Sequence, residues 1–315
     1  MIAGFLLMIM LGAMLLLWVA MESAGGMESL AAGGERVAVI RIEGMIMSGQ
    51  GGYSFLEGEM SGSDDIVAEI ERATEDDEVK AILVRVNSPG GSAAASQEIY
   101  QALQRTRKAG KVVVASMADV AASGGYYVAA PADAIYADPA TLTGSIGVIV
   151  SHQDMSELLT KIGVKSEVVK SGELKDMLSP TRPLDEKQRV VVEALVAEVY
   201  EQFVGHVAEG RGMEREKVVA LADGRIYTGS QAKANGLVDE LGGFHEALME
   251  AGKRADIEGK PHIKEYRGPS LLDWMLRGAN TRAPKMAVTG GLLYDDFAAR
   301  LVRGGLELPV PSPEP

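Results

Sequence analysis

The chain of 315 residues contains no cysteine, and this absence excludes several kinds of chemistry at once. Disulfide bridges, thiolate zinc sites and cysteine nucleophiles all need the missing side chain. Histidine is scarce as well: the four histidines are scattered along the chain and do not form an H-E-x-x-H or a similar spacing. We therefore expect no metal site built on histidine.

The chain also has fewer basic than acidic residues. The chain has 31 Lys and Arg residues against 44 Asp and Glu, which gives a net charge of −13. Because phosphate binding needs a basic face and the sequence has no basic cluster, we expect no nucleic-acid partner. The rest of the composition is ordinary, with 47% hydrophobic and 24% charged residues. The length suffices for a full α/β core.

The first 21 residues carry no charged side chain, and about 20 apolar residues in a helix can cross a membrane. A cleaved signal peptide would begin with a positive region and have a shorter apolar run. Small residues at 23–26 keep cleavage open, but we predict a retained single-pass anchor at 1–21. A polar, glycine-containing linker at 22–35 follows it. The positive-inside rule gives little guidance on orientation, because the first basic residue is Arg36.

Apolar runs and helical spacings alternate along the rest of the chain. We predict strands at 36–42, 79–86, 111–116, 134–136 and 146–150, and helices at 66–73, 93–108, 185–209 and 230–235. The glycine-rich stretch 48–63 is predicted to be a mobile loop. Alternating strands and helices at this spacing indicate βαβ units and an α/β fold with a mostly parallel sheet.

Two glycine motifs follow predicted strands. In N-S-P-G-G-S, residues 87–92, Gly90 and Gly91 allow close backbone approach, and free N–H groups at a helix start favour anions. In A-A-S-G-G-Y-Y, residues 121–127, Ser123 is flanked by small residues and Gly124 could donate a second N–H group to an oxyanion. Taken singly, each motif is also compatible with a plain glycine-rich turn.

A third motif, K-S-G-E-L-K-D at residues 170–176, contains a candidate general base. A serine hydroxyl is a weak nucleophile until a neighbouring group takes its proton. No histidine lies near the serine motifs in sequence, and a lysine can serve if burial lowers its pKa. Lys175 has Leu174, Met177 and Leu178 beside it, which could bury it. The alternative is a solvated surface lysine.

The order of these motifs is more specific than any one of them. Together with T-G-S-I-G-V at 143–148, and with Y-T-G-S-Q-A and G-L-V-D later in the chain, they resemble the signal peptide peptidase A family of membrane proteases. The resemblance covers about residues 36–255. It implies a crotonase-like or Clp-protease-like α/β fold and assigns three kinds of role. The nucleophile is Ser123, the general base is Lys175 with Ser145 holding its amine, and the oxyanion hole is formed by Gly90, Gly91 and Gly124.

The same resemblance implies a membrane-anchored serine endopeptidase that degrades remnants of cleaved signal peptides outside the cytoplasm, with no cofactor. The absence of an internal repeat matches the short form of the family, whose subunits form a homo-oligomeric ring and complete each other's dyads. The protease domain would span 36–265. A C-terminal extension at 266–307 would contact a neighbouring subunit or the membrane surface, and a proline-rich tail at 308–315 would be disordered.

Three other hypotheses remain open at this stage. An acyl-CoA hydratase or isomerase on the same fold would share the oxyanion glycines but would need carboxylates as acid and base. A non-enzymatic membrane scaffold would keep the fold without using Ser123 or Lys175. A protease specialised for stomatin-like membrane partners would share the glycine motifs.

Overall fold

The computed structural model describes residues 35–54 and 58–266. The predicted anchor at 1–21 and the tail at 308–315 lie outside the described residues, as do nearly all of the linker and the C-terminal extension. Among the helices in the described ranges, none is both long enough and apolar enough to cross a membrane.

The described residues form two sheets and eight helices. The strands are β1 (Arg36–Glu43), β2 (Met45–Met47), β3 (Gly52–Ser54), β4 (Gly58–Gly62), β5 (Val79–Ser88), β6 (Val112–Ala122), β7 (Ala134–Ala137), β8 (Leu142–Gly144), β9 (Ile226–Thr228), β10 (Glu240–Leu241) and β11 (His262–Glu265). The helices are α1 (Ser63–Glu75), α2 (Ala93–Lys108), α3 (Gly124–Ala129), α4 (Ser156–Lys161), α5 (Glu186–Arg211), α6 (Arg215–Leu221), α7 (Gly229–Asn235) and α8 (Phe244–Arg254).

The larger sheet confirms the prediction of a mostly parallel α/β fold. Its strand order is β10-β7-β6-β5-β1-β11, and every pair on this path is parallel. Beyond β7, strand β6 continues alongside β8, which pairs antiparallel with β9. The smaller sheet has the order β2-β4-β3.

Helices cover both faces of the larger sheet, which explains why its central strands are almost wholly apolar. Along β1, Ala38, Ile40 and Ile42 enter the main core, whereas Val37 and Val39 enter a second core beneath α8. All five side chains are 2% exposed or less. Burial of a Val or Ile side chain contributes about 1.5–3 kcal/mol, so the central strands dominate the stability of the fold.

Two predictions of local structure are wrong. The glycine-rich stretch 48–63 contains strands β3 and β4, because backbone pairing with β2 orders it without a large apolar side-chain content. The apolar run 146–150 is not a strand: Ile146 is fully buried, whereas Ile149 is 89% exposed and no pairing partner lies alongside. The strand in this part of the chain is β8, which ends at Gly144.

The predicted helices agree well with the structure. Helix α2 has the predicted bounds, and α5 begins after Asp185, whose side chain accepts a hydrogen bond from the Gln188 N–H group at 2.9 Å. Helix α7 ends at Gly236 in the left-handed conformation, the usual residue just beyond a helix C-terminus.

Candidate active site

Ser123 lies at a sharp junction between the end of β6 and the start of α3. Its backbone has φ 52° and ψ −119°, a region that non-glycine residues rarely adopt. The Ser123 N–H group donates to the carbonyl oxygen of Gly144 at 2.8 Å, and the Ser123 carbonyl accepts from the N–H group of Tyr127 at 2.9 Å. These bonds hold the strained residue in place. Its hydroxyl does not cap α3 and remains available for chemistry.

The three predicted oxyanion glycines meet beside Ser123. A Cβ atom added to Gly90 would lie 2.9 Å from the Cβ of Ser123 and 2.7 Å from the nitrogen of Gly124. One added to Gly124 would lie 3.2 Å from the nitrogen of Gly91. Only residues without side chains allow these backbones to approach so closely, which explains the glycines at all three positions.

The three glycines differ in what their N–H groups can bind. The N–H group of Gly90 donates to the Ser88 hydroxyl at 3.1 Å, and the oxyanion role of Gly90 stays a prediction. Gly124 is the first residue of α3, and its N–H group has no acceptor within the helix. The N–H group of Gly91 has no acceptor among the described residues. Gly91 and Gly124 are therefore the two donors available to an oxyanion.

Ser145 lies close to this junction. It follows β8, has φ 50°, and donates its N–H group to the carbonyl oxygen of Arg225 at 2.8 Å. A cavity of about 610 Å³ is lined by Ser123 and Ser145 together with Gly91. Both serines thus face the same solvent-accessible space.

A second cavity beside Ser123, of about 180 Å³, is lined by polar backbone and hydroxyl groups and by apolar side chains. Its larger lining side chains are Tyr127, Val148, Ile149, Val199 and Phe203. Val199 and Phe203 belong to α5, and nothing in the sequence connected that helix to Ser123. The cavity can accept an apolar side chain next to the serine.

An aromatic cluster behind this cavity was missed by sequence reasoning. The Tyr127 hydroxyl is hydrogen-bonded to Nδ1 of His206, and the His206 ring stacks on Tyr100 at a centroid distance of 4.4 Å. Burial raises the pKa of Tyr127 and lowers the pKa of His206. The cluster therefore favours an uncharged Tyr127 hydroxyl hydrogen-bonded to an uncharged His206 ring. This contact fixes the Tyr127 ring in the cavity wall.

Lys175 is placed differently from the other predicted site residues. Every residue of 161–175 is exposed, and among the described residues that line the two cavities of Ser123, Lys175 does not appear. Leu174 is itself 40% exposed, so the expected local burial of Lys175 does not occur within one chain. The structure brings together Ser123, Ser145 and the three glycines, and it leaves Lys175 on the surface.

Two family models match this architecture. The model for Clp protease matches residues 55–140, which include β5, α2 and the serine junction. The fold is thus a Clp-protease-like α/β fold with a mostly parallel sheet. The model described as peptidase family S49 matches residues 105–258.

Individual relatives agree with this result. A protein of Enterococcus faecium named signal peptide peptidase SppA is 39% identical over 84% of this chain and 80% of its own length. A protein of Synechocystis sp. named as a protease is 40% identical over 74% of this chain and 84% of its own length. Protease 4 of Salmonella typhi is 39% identical over 77% of this chain but only 38% of its own length.

The chain therefore belongs to peptidase family S49, among relatives named signal peptide peptidase SppA and protease 4, and it is a serine endopeptidase. This membership favours the endopeptidase over an acyl-CoA enzyme and over a non-enzymatic scaffold. Peptide substrates are consistent with this class of enzyme.

Proposed function

We propose that this endopeptidase is anchored in the membrane by residues 1–21 and degrades remnants of cleaved signal peptides outside the cytoplasm through a dyad of Ser123 and Lys175. The observation that carries the proposal is the strained junction at Ser123. It presents an uncapped hydroxyl beside two unused N–H groups and a cavity lined in part by apolar side chains. Signal peptides are rich in apolar side chains, which suits that cavity.

In the proposed mechanism, neutral Lys175 accepts the proton of the Ser123 hydroxyl as the oxygen attacks a peptide carbonyl. The N–H groups of Gly91 and Gly124 stabilise the oxyanion. The protonated lysine then gives its proton to the leaving amine, and water releases the acyl group from Ser123. Ser145 holds the lysine amine in position. Apart from the peptide and water, every group that acts in these steps belongs to the protein.

We further propose that Lys175 acts on Ser123 of a neighbouring subunit in a homo-oligomeric ring. The exposure of residues 161–175 supports this arrangement, since a lysine that acts as a general base needs burial, which one chain does not provide there. The apolar side chains of Ile149 and Val169 are 89% and 97% exposed. A second subunit would cover these groups.

The experiment that tests the dyad is cleavage of casein and of an apolar signal peptide by the full chain in detergent. We expect Ser123→Ala and Lys175→Ala each to lower kcat by at least about 1,000-fold. Lys165→Ala, another exposed lysine in the same segment, is the matched control and should keep the wild-type rate. A folded, assembled Lys175→Ala variant with wild-type kcat would exclude Lys175 as the base.

Mixing the two inactive variants distinguishes the two placements of the dyad. When Ser123→Ala and Lys175→Ala chains are co-expressed, a mixed ring contains interfaces with an intact serine and an intact lysine from different subunits. Recovered activity therefore indicates a dyad between subunits, and its absence in a mixed ring that has been verified by mass indicates a dyad within one chain. A substrate panel that includes a stomatin-like membrane protein tests the remaining alternative for the substrate.

A further inference from the structure

We propose that Asp176 is a positioning residue, which fixes the turn carrying Lys175 through ion pairs with Lys170 and Arg182. This inference rests on the proposed function, because the position of Lys175 affects catalysis only if Lys175 is the general base. Lys175 lies in residues 161–182, the lysine segment.

The lysine segment has almost no core of its own. After α4 ends at Lys161, the chain adopts no regular structure up to residue 170, and residues 173–178 form consecutive turns. The backbone bonds within them are few: Lys175 N–H to Gly172 O at 3.2 Å and Met177 N–H to Leu174 O at 3.1 Å. Hydrophobic burial therefore cannot define the direction in which Lys175 points.

Residues 176–182 are half-buried, and the side chain of Asp176 is only 11% exposed. One carboxylate oxygen accepts from Lys170 Nζ at 2.7 Å and from Arg182 Nη2 at 2.7 Å. The other accepts from Arg182 Nε at 3.0 Å. The arginine contact is thus bidentate, the geometry that gives charge-assisted pairs both strength and orientation.

The two cations come from opposite sides of Lys175 along the chain. Lys170 precedes it and Arg182 follows it, so Asp176 closes the intervening backbone into a loop with Lys175 next to the closure point. Lys170 Nζ also donates to the carbonyl oxygen of Glu173 at 2.9 Å, which ties down the start of the turn. The loop is therefore fixed at both ends by charged groups that meet at one carboxylate.

A strained residue indicates that this turn is imposed by its surroundings. Leu178 has φ 65°, a left-handed conformation that a bulky residue rarely adopts by itself. Such residues persist where neighbouring contacts determine the backbone. Here the neighbouring contacts are those of Asp176, two residues earlier.

The loop is also connected to a rigid element. Arg182 Nη1 contacts the carboxylate of Asp185, the residue that caps α5, at 3.5 Å, and Lys187 of α5 pairs with Glu173 at 2.9 Å. Helix α5 places Phe203 in the wall of the smaller cavity beside Ser123. These ion pairs fix the position of Lys175 relative to α5, the helix that forms part of the wall of the cavity beside Ser123.

The test is Asp176→Asn in the full chain, which keeps the size of the side chain and removes its charge. We expect kcat to fall about 10- to 100-fold with KM unchanged, because displacing a reacting group by about 1 Å costs on the order of 100-fold in rate. Labelling of Ser123 by a fluorophosphonate should slow by a similar factor. Glu167→Gln is the matched control, because it makes the same kind of charge change at an exposed position of the lysine segment outside the ion-pair cluster, and it should keep wild-type kcat.

Three outcomes separate the possible failures. If Lys175→Ala retains activity, the proposed function fails and Asp176 has no base to position. If Lys175→Ala is inactive while Asp176→Asn matches Glu167→Gln, only the positioning role is overturned. If Asp176→Asn lowers kcat but also lowers Tm and dissociates the assembly, the variant Asp176→Glu distinguishes a positioning role from a general loss of structure. Restored kcat with the assembly intact supports positioning, and continued loss of kcat in an intact assembly overturns it.

A double-mutant cycle adds a readout that a general structural role would not produce. If Arg182 acts through Asp176, the double variant Asp176→Asn/Arg182→Gln should lose no more kcat than Asp176→Asn alone. Independent, multiplicative losses would contradict the proposed cluster.

Discussion

The serine junction and the lysine segment are built by different physical means. At the serine junction, defined by Ser123 with Gly90, Gly91 and Gly124, backbone atoms are packed so closely that a single added carbon would collide. In the lysine segment, charged side chains give the turn its shape and most residues face solvent. A reactive serine that must hold a strained backbone needs the rigid end of a sheet. In the proposed arrangement between subunits, the lysine segment projects from one chain and a neighbouring subunit completes the surroundings of Lys175.

The largest difference between the two regions should be seen with one substitution made in both. In Gly124→Ala, the new Cβ would lie 2.5 Å from the buried Ser96 hydroxyl and would displace the N–H group proposed to bind the oxyanion. We expect kcat/KM to fall about 100- to 1,000-fold, the usual cost of losing one oxyanion donor. In Gly172→Ala, no described atom lies within 4 Å of the new Cβ, so kcat/KM should stay within about twofold of wild type.

Peptidase kinetics and thermal melting of the two variants, measured side by side, check this prediction. Ser96→Gly/Gly124→Ala is a useful third variant, since it removes the closest contact and should recover part of the lost stability. A Gly172→Ala variant as damaged as Gly124→Ala would show that the lysine segment is packed as tightly as the serine junction, contrary to the comparison drawn here.

The same contrast explains what the sequence could predict. Strands β1 and β5 and helix α2 were predicted because their apolar residues recur at the period of the element and are buried in one core. The glycine motifs predicted the serine junction because close backbone approach requires glycine wherever it occurs. Strands β3 and β4 were missed because their glycine-rich sequence has no apolar periodicity, whereas their backbones pair with each other.

Two features of the site could not be predicted from local sequence. The contact between Tyr127 and His206 joins residues 79 positions apart, and neither residue carries a distinctive motif for the other. The surroundings of Lys175 were misjudged because Leu174 suggested local burial, whereas the apolar side chains of this segment face outward in a single chain. What covers an outward-facing side chain depends on other molecules, which one chain's sequence pattern does not specify.

Limited proteolysis sharpens the comparison further. The lysine segment offers Lys161, Lys165 and Lys175 to trypsin on exposed backbone with few hydrogen bonds, whereas Arg85 and Lys111 lie on or beside sheet strands. We expect dissociated subunits to be cut in the lysine segment at least about tenfold faster than at the sheet, because local opening there is easy. Mass spectrometry of the first fragments measures this ratio.

Assembly should change that ratio if a neighbouring subunit covers the segment. Intact rings should be cut at 161–175 more slowly than dissociated subunits, while cleavage at exposed sites elsewhere, such as Lys253, should not change. Equal rates in rings and subunits would count against the proposed placement of Lys175 at an interface.

The smallest expected effect is a difference in acid sensitivity between the two regions. Burial lowers the pKa of His206 below its usual 6.5, with the nearby Glu209 carboxylate opposing the shift. The unfolded chain then binds the proton more readily, so stability falls as the pH drops below about 6.5. Arg182 and Lys170 hold the pKa of Asp176 well below its usual range, so its contribution persists above the unfolded value of 3.8 and is lost only in stronger acid. Mild acid should therefore weaken the region beside the serine junction first.

Thermal melting between pH 7.5 and pH 5.0 tests this order. Because of His206, the Tm of wild type should fall by about 1–3 °C between these two pH values. For a domain of this size, 1 kcal/mol corresponds to about 2–4 °C in Tm. His206→Gln, which still offers Tyr127 a hydrogen-bond partner, should lack that loss, and Asp176→Asn should keep the wild-type slope. Glu69, whose pKa burial raises to about 7, acts with the opposite sign, because its contribution is lost as the pH rises. The difference between wild type and His206→Gln removes this shared background, and identical slopes would mean that protonation of His206 does not weaken the wall of the substrate cavity.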